Sequence, residues 1–189
     1  LTNTHTPSTV DIPVTKIWVD NDNQDGLRPA KITVKLLANG GEVARKDITS
    51  ETDWKETFTG LPKFKDGKEI VYTLQEEKVE NYSPSIDQES YTITNTHTPG
   101  KTTLSVTKQW DDQEDKDGLR PKSVKVQLYA DGKKSGDVIE LSAENKWTHT
   151  FADLDKNVKG KAITYTVEEV DVPTGYQVTK TDDGQGNVV

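Results

Sequence analysis

The chain is written twice. Asp25-Gly26-Leu27-Arg28-Pro29 returns as Asp117-Gly118-Leu119-Arg120-Pro121, and Val14-Thr15-Lys16-Ile17-Trp18 as Val106-Thr107-Lys108-Gln109-Trp110, both 92 positions later. Trp54, Phe58 and Leu61 have counterparts in Trp147, Phe151 and Leu154. Tyr72-Thr73-Leu74-Gln75-Glu76 likewise matches Tyr165-Thr166-Val167-Glu168-Glu169. A repeat of this length is one small domain of chain, so the sequence predicts two homologous domains, residues 8–99 and 100–189. Leu1-Thr2-Asn3-Thr4-His5-Thr6-Pro7 also matches Ile93-Thr94-Asn95-Thr96-His97-Thr98-Pro99. Residues 1–7 therefore read as the terminal strand of a preceding repeat, and the chain as a piece of a longer array.

Inside each unit, apolar residues recur at every second position. Leu104, Val106 and Trp110 share one face of a strand whose other face carries Ser105, Thr107 and Gln109; Ile163, Tyr165 and Val167 alternate with Thr164, Thr166 and Glu168. That period, broken by turn signals at Asn39-Gly40-Gly41, Asp66-Gly67, Asp131-Gly132 and Asp183-Gly184, predicts antiparallel sheets buried on one face. The expected fold is all-β, two tandem sandwiches of roughly seven strands each. With 31% apolar and 30% charged residues, the cores must be thin. A net charge of −8 without basic clusters argues against a nucleic-acid partner, because phosphate contacts need Lys/Arg-rich surfaces. No apolar run approaches the ~20 residues of a membrane helix, so membrane insertion is not expected, and no signal peptide or sorting tail is visible. There is no cysteine, so no disulfide can staple the sheets.

Three polar residues fall on the wrong face. Lys16 is in phase with Ile12, Val14 and Trp18, and Lys108 with Leu104, Val106 and Trp110. Glu76 continues the face of Tyr72 and Leu74, Glu169 that of Tyr165 and Val167, and Asn95 that of Tyr91 and Ile93. Buried Lys and Glu are rare unless paired, since removing a charge from water costs several kcal/mol. A core lysine tends to lose its proton and a core carboxyl to keep one. A neutral amine is a nucleophile, and a neutral carboxylic acid can polarise a carboxamide and shuttle protons. Brought together, Lys16 would attack the Asn95 side-chain carbonyl with Glu76 moving the protons, and ammonia would leave. The product is an amide cross-link between the first and last strands.

With those residues in view, the units resemble Cna B-type domains, the repeat modules of Gram-positive surface adhesins and pilins. The resemblance rests on V-T-K-x-W in the first strand, D-G-x-R-P after it, Y-T-x-x-E further on and I-T-N-T at the end. It implies inverse immunoglobulin-like β-sandwiches, each closed by an autocatalytic Lys–Asn isopeptide bond that an acidic residue assists. It carries Lys16 and Asn95 into the bond of unit one, with Glu76 as proton shuttle, and Lys108 with Glu169 into unit two. It also implies an extracellular, cell-wall-anchored parent in which these repeats form a structural stalk. The alternative is an adhesive module binding a host matrix protein or glycan directly. Expected partners are adjacent repeats of the same protein and such a host molecule. No cofactor or metal is expected, and no turnover enzyme.

Unit two departs from the pattern at its acceptor. No I-T-N-T recurs between Tyr176 and Val189, and the motif is expected beyond Val189. Three acceptors stay open for Lys108: an asparagine beyond Val189, Asn187 in its turn-like setting, or Asn3 of a neighbouring molecule. The last would add residues 1–4 to the sheet and build head-to-tail chains. Elsewhere, the acidic stretches at 20–26 and 111–118 suggest calcium. Ile32 and Val124, however, stand where an EF-hand loop needs its acidic twelfth ligand, so solvated loops are expected. His5, His97 and His149 lie among threonines, and no metal or catalytic role is expected of them.

Overall fold

The computed structural model describes residues 1–182 and 188–189, in two compact units, Leu1–Thr98 and Pro99–Val189. Unit one runs β1 (Thr9–Val19), β2 (Lys31–Ala38), β3 (Gly41–Thr49), β4 (Lys55–Pro62), β5 (Phe64–Lys65), β6 (Lys68–Glu69), β7 (Tyr72–Glu76), β8 (Ser83–Asp87) and β9 (Thr92–Thr96). Seven of these strands form two sheets, ordered β4-β1-β9-β8 and β3-β2-β7, while β5 and β6 make a small separate hairpin. Ile12, Val14, Phe58 and Ile93 come inward from the first sheet to meet Ile32, Val34, Leu36, Ile48, Tyr72 and Leu74 of the second. Burial alternates along β1 as the sequence period requires, with Ile12, Val14 and Lys16 inside and Asp11, Pro13 and Ile17 outside. The β2–β3 hairpin turns at Asn39 and Gly40, both at positive φ (48° and 87°), the backbone that Asn-Gly adopts most readily.

One pairing sets this sandwich apart from a simple meander. β1 runs parallel to β9, whereas every other ladder of the unit is antiparallel. The first and last strands are therefore hydrogen-bonded neighbours at the centre of one sheet. Residues 1–8, ahead of β1, form no strand and are exposed.

Unit two repeats the plan with β10 (Lys101–Thr107), β11 (Ser123–Ala130), β12 (Lys133–Ser142), β13 (Thr148–Asp155), β14 (Asn157–Val158), β15 (Lys161–Ala162) and β16 (Tyr165–Val170). β10 pairs with β13, and β11 lies between β12 and β16. Leu104, Val106 and Phe151 pack against Val124, Val126, Leu128, Leu141 and Val167. Even the irregularities repeat. β1 slips register against β4 between Val10 and Ile12, and β10 slips against β13 between Thr102 and Leu104. Where unit one has β9, the described residues of unit two have a parallel bridge from Val106 to Val188. The Asp183-Gly184 turn signal and Asn187 lie outside the described residues.

Candidate functional site

Pleat and topology together bring Lys16, Glu76 and Asn95 into one buried cluster. In the parallel ladder Lys16 faces Ile93 and Trp18 faces Asn95. Lys16 and Asn95 are thus diagonal neighbours on the same inward face of one sheet. Glu76, at the end of β7, arrives from the opposite sheet, where it faces Val34. Lys16 Nζ lies 3.0 Å from Glu76 Oε1, with the two side chains 0% and 3% exposed. Asn95, fully buried, donates from Nδ2 to the same Oε1 at 3.1 Å. Among the described residues its carbonyl oxygen Oδ1 has no hydrogen-bond partner, and the Lys16 amine has no well-aligned one. Burial pushes the Lys16 ammonium down from 10.5 to about 8, against the charge and hydrogen bond of Glu76, which pull it up.

A second set of residues roofs this cluster. Lys16 Nζ sits 4.5 Å from the centre of the Trp18 ring, and the Arg28 guanidinium lies 5.5 Å from the same ring. Trp54 and Tyr82 pack edge-on against Trp18 at 5.1 and 4.9 Å. Arg28 is held by Asp20 through two hydrogen bonds, Nε to Oδ2 at 3.1 Å and Nη2 to Oδ1 at 2.7 Å. The Tyr82 hydroxyl donates to Asp20 Oδ2 at 2.8 Å and the Asn23 N–H to Oδ1 at 3.0 Å. Burial alone would raise the Asp20 carboxyl; these donors outweigh it and hold it at about 2.

The expectation of a solvated loop at 20–26 is therefore corrected at its first residue. Asp20 is 3% exposed, because Arg28 of the D-G-x-R-P motif folds back and the chain turns through three consecutive left-handed residues, Asn21, Asp22 and Asn23. Unit two repeats the clamp with Asp112, Arg120 and Tyr176, over Trp110. Arg28 and Arg120 are equivalent in the D-G-L-R-P repeat, and the carboxylates they grip are likewise 92 positions apart. His97 has a structural place. Its Nε2 lies 2.9 Å from Asp25 Oδ2 and its Nδ1 3.0 Å from the Asn81 carbonyl oxygen, so it ties the end of β9 to two loops. The Asp25 hydrogen bond raises the imidazole above its usual value, burial opposing it. His149 instead packs edge-on against Phe151.

Unit two brings Lys108 and Glu169 together, Nζ to Oε2 at 3.2 Å, but its lysine is 16% exposed where Lys16 is sealed. Lys108 stands 4.5 Å from the centre of Trp110, as Lys16 does from Trp18. Glu169 Oε1 is buried with no partner among the described residues. The Thr107 N–H donates to the Val188 carbonyl (2.9 Å) as the Thr15 N–H donates to that of Tyr91 (3.2 Å). By that register Val188 occupies the place of Tyr91, and the counterpart of Asn95 falls four residues after Val188.

Unit one is thus a sandwich whose first and last strands are parallel neighbours, with lysine, glutamate and a carboxamide together in its core, and unit two repeats the lysine and the glutamate. The chain belongs to the Cna protein B-type domain family, which it matches over residues 12–96 and 104–189. It is 47% identical over its whole length to a collagen adhesin of Staphylococcus aureus, of which it spans 16%. Two crystal structures of the collagen-binding protein of that organism are similar to it at 46% identity. One, of two B repeat units, has 98% of this chain and 49% of its own covered, at TM-score 0.49. The other, of a single B repeat unit, has 96% of each chain covered, at TM-score 0.47. Among the described residues no helix is long and apolar enough to cross a membrane.

Proposed function

We propose that these units are load-bearing spacers of a bacterial surface adhesin, and that unit one closes itself with an amide bond between Lys16 and Asn95. The observation that carries this reading is the burial of amine, carboxyl and carboxamide within contact of one carboxylate oxygen. An amide is inert at neutral pH in water; proximity and a dry site supply the rate. Glu76 takes the proton that frees the Lys16 amine. The amine then attacks Asn95 Cγ, Glu76 returns a proton to the departing nitrogen, and ammonia leaves. A half-turn of the carboxamide would bring Oδ1 rather than Nδ2 to a protonated Glu76, which then polarises the carbonyl for attack. One amine and one primary amide become one secondary amide and ammonia. Each bond forms once and consumes the Lys16 amine and the Asn95 carboxamide, so Glu76, though left unchanged, acts in a single turnover rather than in enzymatic catalysis.

In a longer surface protein, tension applied along a repeat would enter at one strand and leave at its covalently attached neighbour. The relative's similarity extends this reading to an extracellular, wall-anchored stalk with adjacent repeats as its constant partners. That relative is named for collagen, so the rival reading is direct binding of a host matrix protein or glycan.

The deciding experiment is the intact mass of the fully denatured chain. A mass one ammonia below the sequence value, restored by Lys16→Met and by Asn95→Ala, supports the bond. The unreduced sequence mass for the parent chain refutes it. Immobilised collagen separates the two roles: saturable retention of the chain would favour the binder.

A further inference from the structure

The Trp18 ring carries two cations. Lys16 Nζ lies 4.5 Å from its centre and the Arg28 guanidinium 5.5 Å. Unit two repeats the arrangement, with Lys108 at 4.5 Å and Arg120 at 5.6 Å from the centre of Trp110. A buried indole N–H ordinarily finds an acceptor. Those of Trp18 and Trp110 have none among the described residues, so cations and aromatic edges hold these rings. An indole face attracts a cation, and more strongly away from water. On its own, Trp18 would therefore favour the Lys16 ammonium, the form that cannot attack a carbonyl.

Arg28 offsets that preference. Its guanidinium stays charged at every pH a protein meets. Asp20, sealed from solvent, fixes it beside the ring through two hydrogen bonds. With the lysine protonated, two like charges share one indole; with the lysine neutral, only one does. No other charged group around the amine acts in this direction. Glu76, from β7, favours the ammonium. On β4 and β3, Glu56 and Lys46 pair with each other at 3.0 Å. The Tyr82 hydroxyl is turned to Asp20, and His97 with Asp25 stands on the far side of the Tyr82 ring. We infer that Arg28 is a positioning residue of the Lys16–Asn95 reaction, acting through Trp18: by occupying the ring on which Lys16 leans, it turns the lysine toward the neutral amine that attacks. This rests on the cross-link reading of unit one and adds to it the group that tunes the nucleophile.

The test follows formation of the Lys16–Asn95 peptide when the full chain, made in denaturant so that no bond has formed, is refolded over a series of pH values. In the parent the rate should rise with pH and level off at about 8. Arg28→Gln should move that rise about one pH unit higher, so that the bond forms about tenfold more slowly at neutral pH yet reaches the same plateau. Arg28→Lys loses the two-point grip on Asp20 but keeps the cation, and should keep the parent profile. Asp20→Asn combined with Arg28→Gln removes both charges and should stay shifted. An unshifted Arg28→Gln overturns the inference. So does an Arg28→Lys profile displaced as far as that of Arg28→Gln, because packing rather than charge would then be at work. A double variant that returns to the parent profile overturns it too, by assigning the shift to the bare Asp20 carboxylate. In Asn95→Ala, which cannot form the bond, NMR titration of the Lys16 amine reads the same effect directly, and Arg28→Gln should raise its midpoint by the same amount. A parent chain that never yields the peptide refutes the unit-one bond itself, whereas unshifted profiles in a chain that does yield it refute the role of Arg28 alone.

Discussion

Lys16 and Asn95 stand two pairings apart on adjacent parallel strands, Lys16 facing Ile93 and Asn95 facing Trp18. Because the strands are parallel, the chain enters β1 at one end of the sheet and leaves β9 at the other. Pulling on the two ends of the unit therefore shears this ladder lengthwise. The proposed amide between the two side chains would lie directly in the path of that force and would shield residues 17–94 from it.

Stretching single molecules should read this directly. The parent unit one should show no lengthening from residues 17–94, while Lys16→Met should release them in a step of roughly 260 Å, at about 3.3 Å per residue. Equal steps in both proteins would remove the mechanical role.

The bond should also weigh heavily in stability. Closing a loop of this size stabilises a fold by ~4–5 kcal/mol on the chain-entropy estimate made for disulfides. Lys16→Met breaks the bond without leaving a buried charge on the lysine side. It should lower the thermal midpoint of unit one by on the order of 20 °C. Calorimetry checks this, and a shift of only a few degrees would contradict it.

Bond formation should speed up with pH. The Lys16 amine must be neutral to attack, and burial brings it down to about 8. Chain prepared unfolded and refolded at a series of pH values should lose ammonia faster as pH rises through about 8, then level off. A rate independent of pH in that window would mean that deprotonation of Lys16 does not limit the step.

The clamp over Trp18 makes a separate prediction. Asp20→Ala leaves Arg28 without its carboxylate and Tyr82 without its acceptor, so it should destabilise unit one by about 3 kcal/mol. It should also slow cross-linking, since water then reaches Lys16. Denaturant unfolding in the Lys16→Met background isolates the first effect, and the rate of mass loss measures the second.

His97 should make unit one sensitive to pH. Its folded value is raised above 6.5 by Asp25, so the contact stabilises fully below pH 6.5 and fades as pH rises through the folded value. The midpoint of unit one should fall across that range, and His97→Phe should flatten the fall. A parallel decline in the variant would assign the effect to other groups.

Most of the fold was legible because a two-residue period needs no tertiary knowledge: Ile12, Val14 and Lys16 alternate with exposed neighbours wherever the sheet is placed. Duplication did the rest, marking Lys16 with Lys108 and Glu76 with Glu169 as residues held in common. Phase, however, says only that a side chain points inward. That Glu76 reaches Lys16 from the other sheet, and that Asn95 lies diagonally across a parallel ladder, follows from how the strands are ordered. The loop residues were less legible still. Asp20 reads as a solvated acid until Arg28, eight residues on, and Tyr82, from a distant turn, converge on it. His97 reads as one polar residue among threonines until Asp25 and the Asn81 carbonyl meet both its nitrogens. The sequence alone determined which residues face the core, because alternation is local chemistry. Tertiary structure decided which of them touch, because contacts between distant strands depend on the topology that closes the sheets.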